Sequence, residues 1–166
     1  MATHNSVILL LKRMSMKKIV FTLFSVMAIA FVNAQMLKPV LWSFTSKKIG
    51  DKIYELHLTA TIQNGWHLYS QTQPADAIAN PTEIVFNRNP LVKLDGKAKE
   101  SGKMELYKDT KLGISANQYK DKVDFVQKIK VKTNVKTNMV GSVEFQTCDD
   151  KKCLPPAKVD FSIALK

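Results

Sequence analysis

The chain is poor in the residues that most narrow a function. Its 166 residues include two cysteines, two tryptophans, three histidines and six glycines. Two cysteines exclude a cystine-rich scaffold, and a tetrahedral zinc site would need nearly every sulfur and imidazole beyond the N-terminal region. Arginine occurs only at Arg13 and Arg88, so the forked phosphate grip of nucleic-acid readers is missing. Lysines stand singly or in pairs among apolar residues instead of forming a patch, and no nucleic-acid partner is expected. Internal repeats and low-complexity tracts are absent. The single long apolar run, residues 19–32, has 14 residues, short of the roughly 20 that span a bilayer.

That run has a different use. From Met16 the sequence reads MKKIVFTLFSVMAIAFVNA, two lysines followed by apolar residues and then small side chains at Val32 and Ala34. This order predicts a secretory signal peptide over residues 1–34, cleaved after Ala34, with residues 1–15 as a basic extension or an upstream-start artefact. No cysteine follows the run, which closes the lipoprotein route. Removing its four cations from a balance of 25 cations against 14 anions leaves a net charge of +7, dispersed enough to read as a solvated surface. The remaining residues 35–166 suit one domain, expected to be exported and soluble.

The hydrophobic pattern beyond residue 34 has period two. Tyr54, Leu56, Leu58, Ala60 and Ile62 alternate with Glu55, His57, Thr59 and Thr61, the signature of a half-buried strand. Val123, Phe125, Ile129 and Val131 repeat it, as do Val159, Phe161, Ile163 and Leu165. Residues 41–44, 82–86 and 141–147 are shorter candidates. Turn signals separate them at Gly50-Asp51, Asn64-Gly65, Asn80-Pro81, Asn89-Pro90, Asp95-Gly96 and Lys120-Asp121. No segment has capped helical spacing. The pattern predicts an all-β, immunoglobulin-like antiparallel β-sandwich, with a polar stretch at residues 93–118 that includes a loop or a loosely paired hairpin.

Both cysteines lie in FQTCDDKKCLPP, residues 145–156. Zinc is disfavoured, because Cys148 and Cys153 would have to meet both His57 and His67. A structural disulfide would close a ring of only six residues, worth about 2 kcal/mol in the chain-entropy model. A redox-active pair needs a sulfur that a partner can reach, and alternation from Val143 and Phe145 puts Cys148 on the side away from the core. Asp149 and Asp150 oppose the thiolate while Lys151 and Lys152 favour it. Pro155 and Pro156 stiffen the exit from the turn. Spacing alone leaves the structural and redox readings level.

Three segments carry a resemblance that separates them. FQTCDDKKCLPP resembles the redox hairpin of the N-terminal periplasmic domain of the thiol:disulfide interchange protein DsbD. IQNGWHLYSQ (62–71) is similar to that family's strand-turn-strand segment beside the cysteines, and GKMELYKD (102–109) to the segment after its cap loop. The resemblance extends over essentially all of residues 35–166. It implies an immunoglobulin-like domain that relays reducing equivalents, with Cys153 forming mixed disulfides and Cys148 resolving them. Trp66, His67 and Tyr69 would lie near the pair, with core packing the plainer role for Trp66.

Two departures accompany the resemblance. The family's cap loop carries an aromatic side chain, whereas AKESG (98–102) has none, leaving the shielding to Tyr107 or another residue. The family's transporter also continues into a membrane domain and a thioredoxin-like domain, so this chain is expected to meet a membrane-embedded DsbD-type electron transporter in trans. Implied partners are thioredoxin-like domains or proteins, an exported disulfide isomerase or a cytochrome c maturation thioredoxin. No metal or organic cofactor is needed. The rival reading is a non-catalytic exported β-sandwich binding module with a structural disulfide, and a weaker one a metal-handling protein using both cysteines and a histidine.

Overall fold

A computed structural model describes residues 37–133 and 136–165; the expected signal peptide lies outside them. Every regular element among these residues is a strand: β1 (Val40–Gly50), β2 (Ile53–Ile62), β3 (His67–Tyr69), β4 (Glu83–Phe86), β5 (Val92–Gly102), β6 (Glu105–Asp109), β7 (Ile114–Tyr119), β8 (Lys122–Val131), β9 (Thr137–Phe145), β10 (Thr147–Cys148) and β11 (Ala157–Leu165). All the pairings are antiparallel. The sheets run β1-β2-β8-β5, β10-β3-β7-β6 and β11-β9-β4. Together they form the immunoglobulin-like sandwich that the alternation predicts.

Period two fixes which face is buried. On β2, Tyr54, Leu56, Leu58, Ala60 and Ile62 are buried, and on β8 so are Val123, Phe125, Ile129 and Val131. Phe161, Ile163 and Leu165 of β11 complete the opposing layer. Each such side chain contributes about 1.5–3 kcal/mol by leaving water. Aromatic rings join the layers, with Trp42 5.3 Å from Phe145 and Phe44 5.2 Å from Phe161; Phe125 and Phe86 extend the cluster within their own sheets, 5.8 Å from Trp42 and 5.6 Å from Phe161. Ser46 Oγ donates to the Ala164 carbonyl at 2.6 Å, tying β1 to β11.

The polar stretch at residues 93–118 does include a hairpin, formed by β6 and β7, while its first part is strand β5, paired along β8. Polar composition hid β5, whose outer side chains are solvated and whose partner supplies the apolar face. Asp95-Gly96 is no chain reversal but part of a register shift within β5. Beside it lies Gln127, the one polar residue on the buried face of β8. Its Nε2 donates to the Asp95 and Gly96 carbonyls at 3.3 and 3.2 Å, satisfying groups that the shifted ladder leaves open.

Candidate functional site

The cysteine segment changes sheets. β9 ends at Phe145, and after Gln146 the chain resumes as β10 beside β3, with Thr147 opposite Leu68 and Cys148 opposite His67. It then doubles back, and Cys153 faces Cys148 as an antiparallel bridge. The Asp149 N–H donates to the Lys152 carbonyl and the Leu154 N–H to the Thr147 carbonyl, both at 2.9 Å. These flanking bonds leave the cysteines as a non-hydrogen-bonded pair, where facing side chains come closest. Their Cα atoms are 3.9 Å apart and the two sulfurs are bonded.

Asp149 shapes the tip. Its Oδ1 accepts the backbone N–H groups of Lys151 at 2.8 Å and Lys152 at 2.7 Å, an Asx turn inside the six-residue ring. Those two bonds hold its carboxyl below the usual carboxylate range, with smaller help from the lysine charges.

The two cysteines differ sharply in exposure. Cys153 is exposed, while Cys148 is 4% exposed. The expectation that a partner reaches Cys148 is therefore overturned. The alternation itself holds, since Cys148 lies on the face opposite Thr147 and Leu68. That outer face, however, is covered by Tyr69 and Ala116, with Ala79 of the β3–β4 connection packed on them. The Asn80 N–H donates to Gln146 Oε1 at 3.1 Å, Gln146 Nε2 donates to the Leu154 carbonyl at 3.3 Å, and Ser115 Oγ donates to Asp76 Oδ1 at 2.7 Å. The cover over Cys148 thus comes from the connection after β3 and is pinned to both the cysteine hairpin and β7.

Residues 98–102 have other work. Glu100 accepts hydrogen bonds from Ser70 Oγ at 2.7 Å, the Gln71 N–H at 2.6 Å and Tyr119 Oη at 2.6 Å. This carboxylate ties β5 of the first sheet to β3 and β7 of the cysteine sheet. Burial, then the hydrogen bond with Glu100, pushes the Tyr119 phenol well above its ordinary range.

The remaining site candidates divide. Trp66 packs into the main core, aimed there by the Asn64-Gly65 turn, where Gly65 has φ +82°. Tyr69 lies against Cys148, and its phenol is raised by burial and then by Tyr107. Tyr107 sits opposite Ala116 on β6 and is 47% exposed, so it borders the covered face without sealing it. His67 is partly exposed, beside an open hollow lined also by Trp66, Lys120, Asp121 and Asp150. At its rim Lys120 pairs with Glu105 at 2.8 Å. His57 is on β2 and bonded to Asp124 Oδ2 at 2.7 Å, so the structure does not bring it to the cysteines.

Ala79, Gln146 and Glu100 escaped the sequence reading. Nothing local marks Ala79 or Glu100, whose partners lie 29 or more residues away or on another sheet. The sequence marks Asp149 only as part of a charged tip; its turn had a local signal, since an acid directly after the first cysteine of a short ring can accept the N–H groups two and three positions on.

The family model described as "Thiol:disulfide interchange protein DsbD, N-terminal" matches residues 35–165. No curated protein matches the chain. Among solved structures, the reduced DsbD N-terminal domain of Neisseria meningitidis is 17% identical, with a TM-score of 0.50 over 78% of this chain and 90% of that one. The complex between the DsbD and PilB N-terminal domains of Neisseria meningitidis gives 16% identity and a TM-score of 0.49, covering 77% of this chain and 87% of that one. The N-terminal periplasmic domain of ScsB from Proteus mirabilis gives 16% and 0.46, covering 78% and 49%. The chain belongs to the DsbD N-terminal domain family.

Proposed function

We propose that this member of the DsbD N-terminal family carries reducing equivalents in the periplasm, opening and closing the Cys148–Cys153 bond by exchange with thioredoxin-like proteins. The observation that carries the reading is the asymmetry of the pair, with Cys153 open to an incoming thiolate and Cys148 buried behind it. Exchange requires in-line access to one sulfur only.

In the loading direction, a donor thiolate bonds to Cys153 Sγ and the electron pair of the broken bond leaves on Cys148 Sγ. The donor's second thiolate then attacks the donor sulfur of the mixed disulfide and expels the Cys153 thiolate. The domain has gained two electrons and the donor holds the disulfide. In the unloading direction Cys153 attacks an acceptor disulfide and Cys148 resolves the product. Electrons balance among the sulfurs alone, and the reading calls on no metal or organic cofactor.

The finer reading assigns the donor role to a membrane-embedded DsbD-type electron transporter. Acceptors are an exported disulfide isomerase or a cytochrome c maturation thioredoxin, and cleavage after Ala34 delivers the domain to them. Trp66 anchors the start of β3 from the core, while His67, Tyr69 and Tyr107 border the reacting pair.

The burial of Cys148 also favours a rival, the exported binding module with a structural disulfide. Equilibration with a dithiol buffer separates them: the carrier has a reduction potential above about −300 mV, and a structural bond lies below it. Replacing Cys148 by alanine gives a second arm. Under the carrier reading Cys153 then captures thioredoxin-like proteins in the periplasm, and under the module reading it captures none.

A further inference from the structure

The buried sulfur raises a question of proton supply. When Cys153 is attacked, the charge appears on Cys148, the member of the pair that water scarcely reaches. A thiolate left in an apolar pocket is disfavoured. Its immediate surroundings are Tyr69, Ala116 and Ala79, and the two aspartates of the hairpin tip offset the two lysines there. Tyr69 holds its own proton more tightly than a free phenol does, so it donates a hydrogen bond more readily than it gives up a proton.

One titratable side chain stands across the strand pair from the buried cysteine and also reaches solvent. His67 is the direct cross-strand partner of Cys148, and facing residues of an antiparallel pair have Cβ atoms about 4.5–5.5 Å apart. Because side chains alternate, it shares with Cys148 the face opposite Leu68. Its other side borders the open hollow with Lys120, Asp121 and Asp150. Histidine is the side chain that ordinarily exchanges a proton between pH 5 and 8.

We infer that His67 is the proton relay of the disulfide, giving a proton to Cys148 Sγ as the bond to Cys153 opens and taking it back when the bond recloses. The inference rests on the exchange reading above and supplies its missing proton. As the donor thiolate bonds to Cys153 Sγ and the sulfur–sulfur bond breaks, the pair left on Cys148 Sγ accepts the imidazolium proton. The products are a thiol and a neutral imidazole, which takes a fresh proton from water in the hollow. On reclosure the imidazole, having first returned that proton to water, removes the Cys148 proton, and the thiolate attacks Cys153 Sγ in the mixed disulfide, expelling the partner as its thiolate. The charged and titratable groups around His67 are Cys148 from β10, Asp150 from the hairpin tip, Tyr69 on its own strand, Glu105 from β6, and Lys120 and Asp121 after β7.

The test follows reduction of the oxidised domain by dithiothreitol from pH 4.5 to 9, in the wild type and in His67→Gln and His67→Phe. The ratio of wild-type to variant rate cancels the ionisation of dithiothreitol. A relay makes the ratio at least about tenfold in the acid half, the worth of one pKa unit at the leaving sulfur, falling toward one above pH 8. A ratio that stays flat across the range overturns it. A second measurement leaves His67 in place: in Cys153→Ser, the imidazole proton resonances and the Cys148 thiolate absorbance are titrated together. Shared, two-step titrations support the relay, and independent single steps overturn it. If dithiothreitol reduces the wild type but a thioredoxin does not, the carrier reading fails while the relay is still decided by the ratio.

Discussion

The phenol of Tyr119 donates a 2.6 Å hydrogen bond to Glu100 Oε2, and this bond joins the cysteine-bearing sheet to β5 of its neighbour. The same carboxylate holds Ser70 and the Gln71 N–H, which begin the connection that ends over Cys148. In this fold the cover of the buried sulfur is fastened at the far side of the sheet.

Tyr119→Phe and Glu100→Gln are expected to lower stability by about 1–3 kcal/mol in urea unfolding, the cost of an orphaned buried partner. The pH dependence follows from the raised phenol. The folded state keeps the Tyr119 proton at a pH where the unfolded chain, titrating near 10.0, has lost it. Stability from this group is therefore complete below pH 10 and declines as pH rises beyond it. Tyr119→Phe should flatten that alkaline decline, leaving the smaller contribution of Tyr69.

Gly141 is a position with no room for a side chain. A Cβ there would collide with the Val85 carbonyl of β4 and lie 2.6 Å from Phe161 Cζ. Both neighbours are fixed, one by the sheet and one by the aromatic cluster. Gly141→Ala should cost about 3 kcal/mol or more, at the upper end of overpacking, and thermal unfolding would show it.

Much of this architecture was readable from the sequence because its cause is local. The alternation at residues 53–62 and 123–131 gives the buried faces, and Asn64-Gly65 gives the turn that aims Trp66 into the core. The parts that escaped depend on distant partners. Asp95-Gly96 carries a turn signature, yet it lies inside a strand, bonded to Gln127. Cys148 has the parity of an outward residue, yet a connection starting at residue 71 lies across it. Parity tells which side of a sheet a residue is on; it does not tell what else comes to that side.

Reduced protein should show the same asymmetry in alkylation. Cys153 is expected to react with a small maleimide at least about tenfold faster than Cys148, since reaction follows thiolate access. Gln146→Ala removes the side chain that links the cover to the hairpin, and should narrow the difference by speeding Cys148. Peptide mass spectrometry of a pulse-labelled sample reads both rates.

Asp149→Ala should release the hairpin tip. Amide exchange at Lys151 and Lys152 is expected to accelerate in this variant and to remain slow in Asp149→Asn, whose side-chain carbonyl accepts the same bonds. Because the carboxyl sits below its ordinary range, protection in the wild type is present above the ordinary carboxylate value of 3.8 and is lost only at more acid pH.

The central claim is that Cys153 takes the attack and Cys148 leaves. The direct measurement mixes the oxidised domain with a thioredoxin that retains only its attacking cysteine, quenches in acid and maps the mixed disulfide by mass spectrometry. The account predicts a thioredoxin joined to Cys153 with Cys148 as a free thiol. A bond to Cys148, or a domain that forms no mixed disulfide, would contradict it.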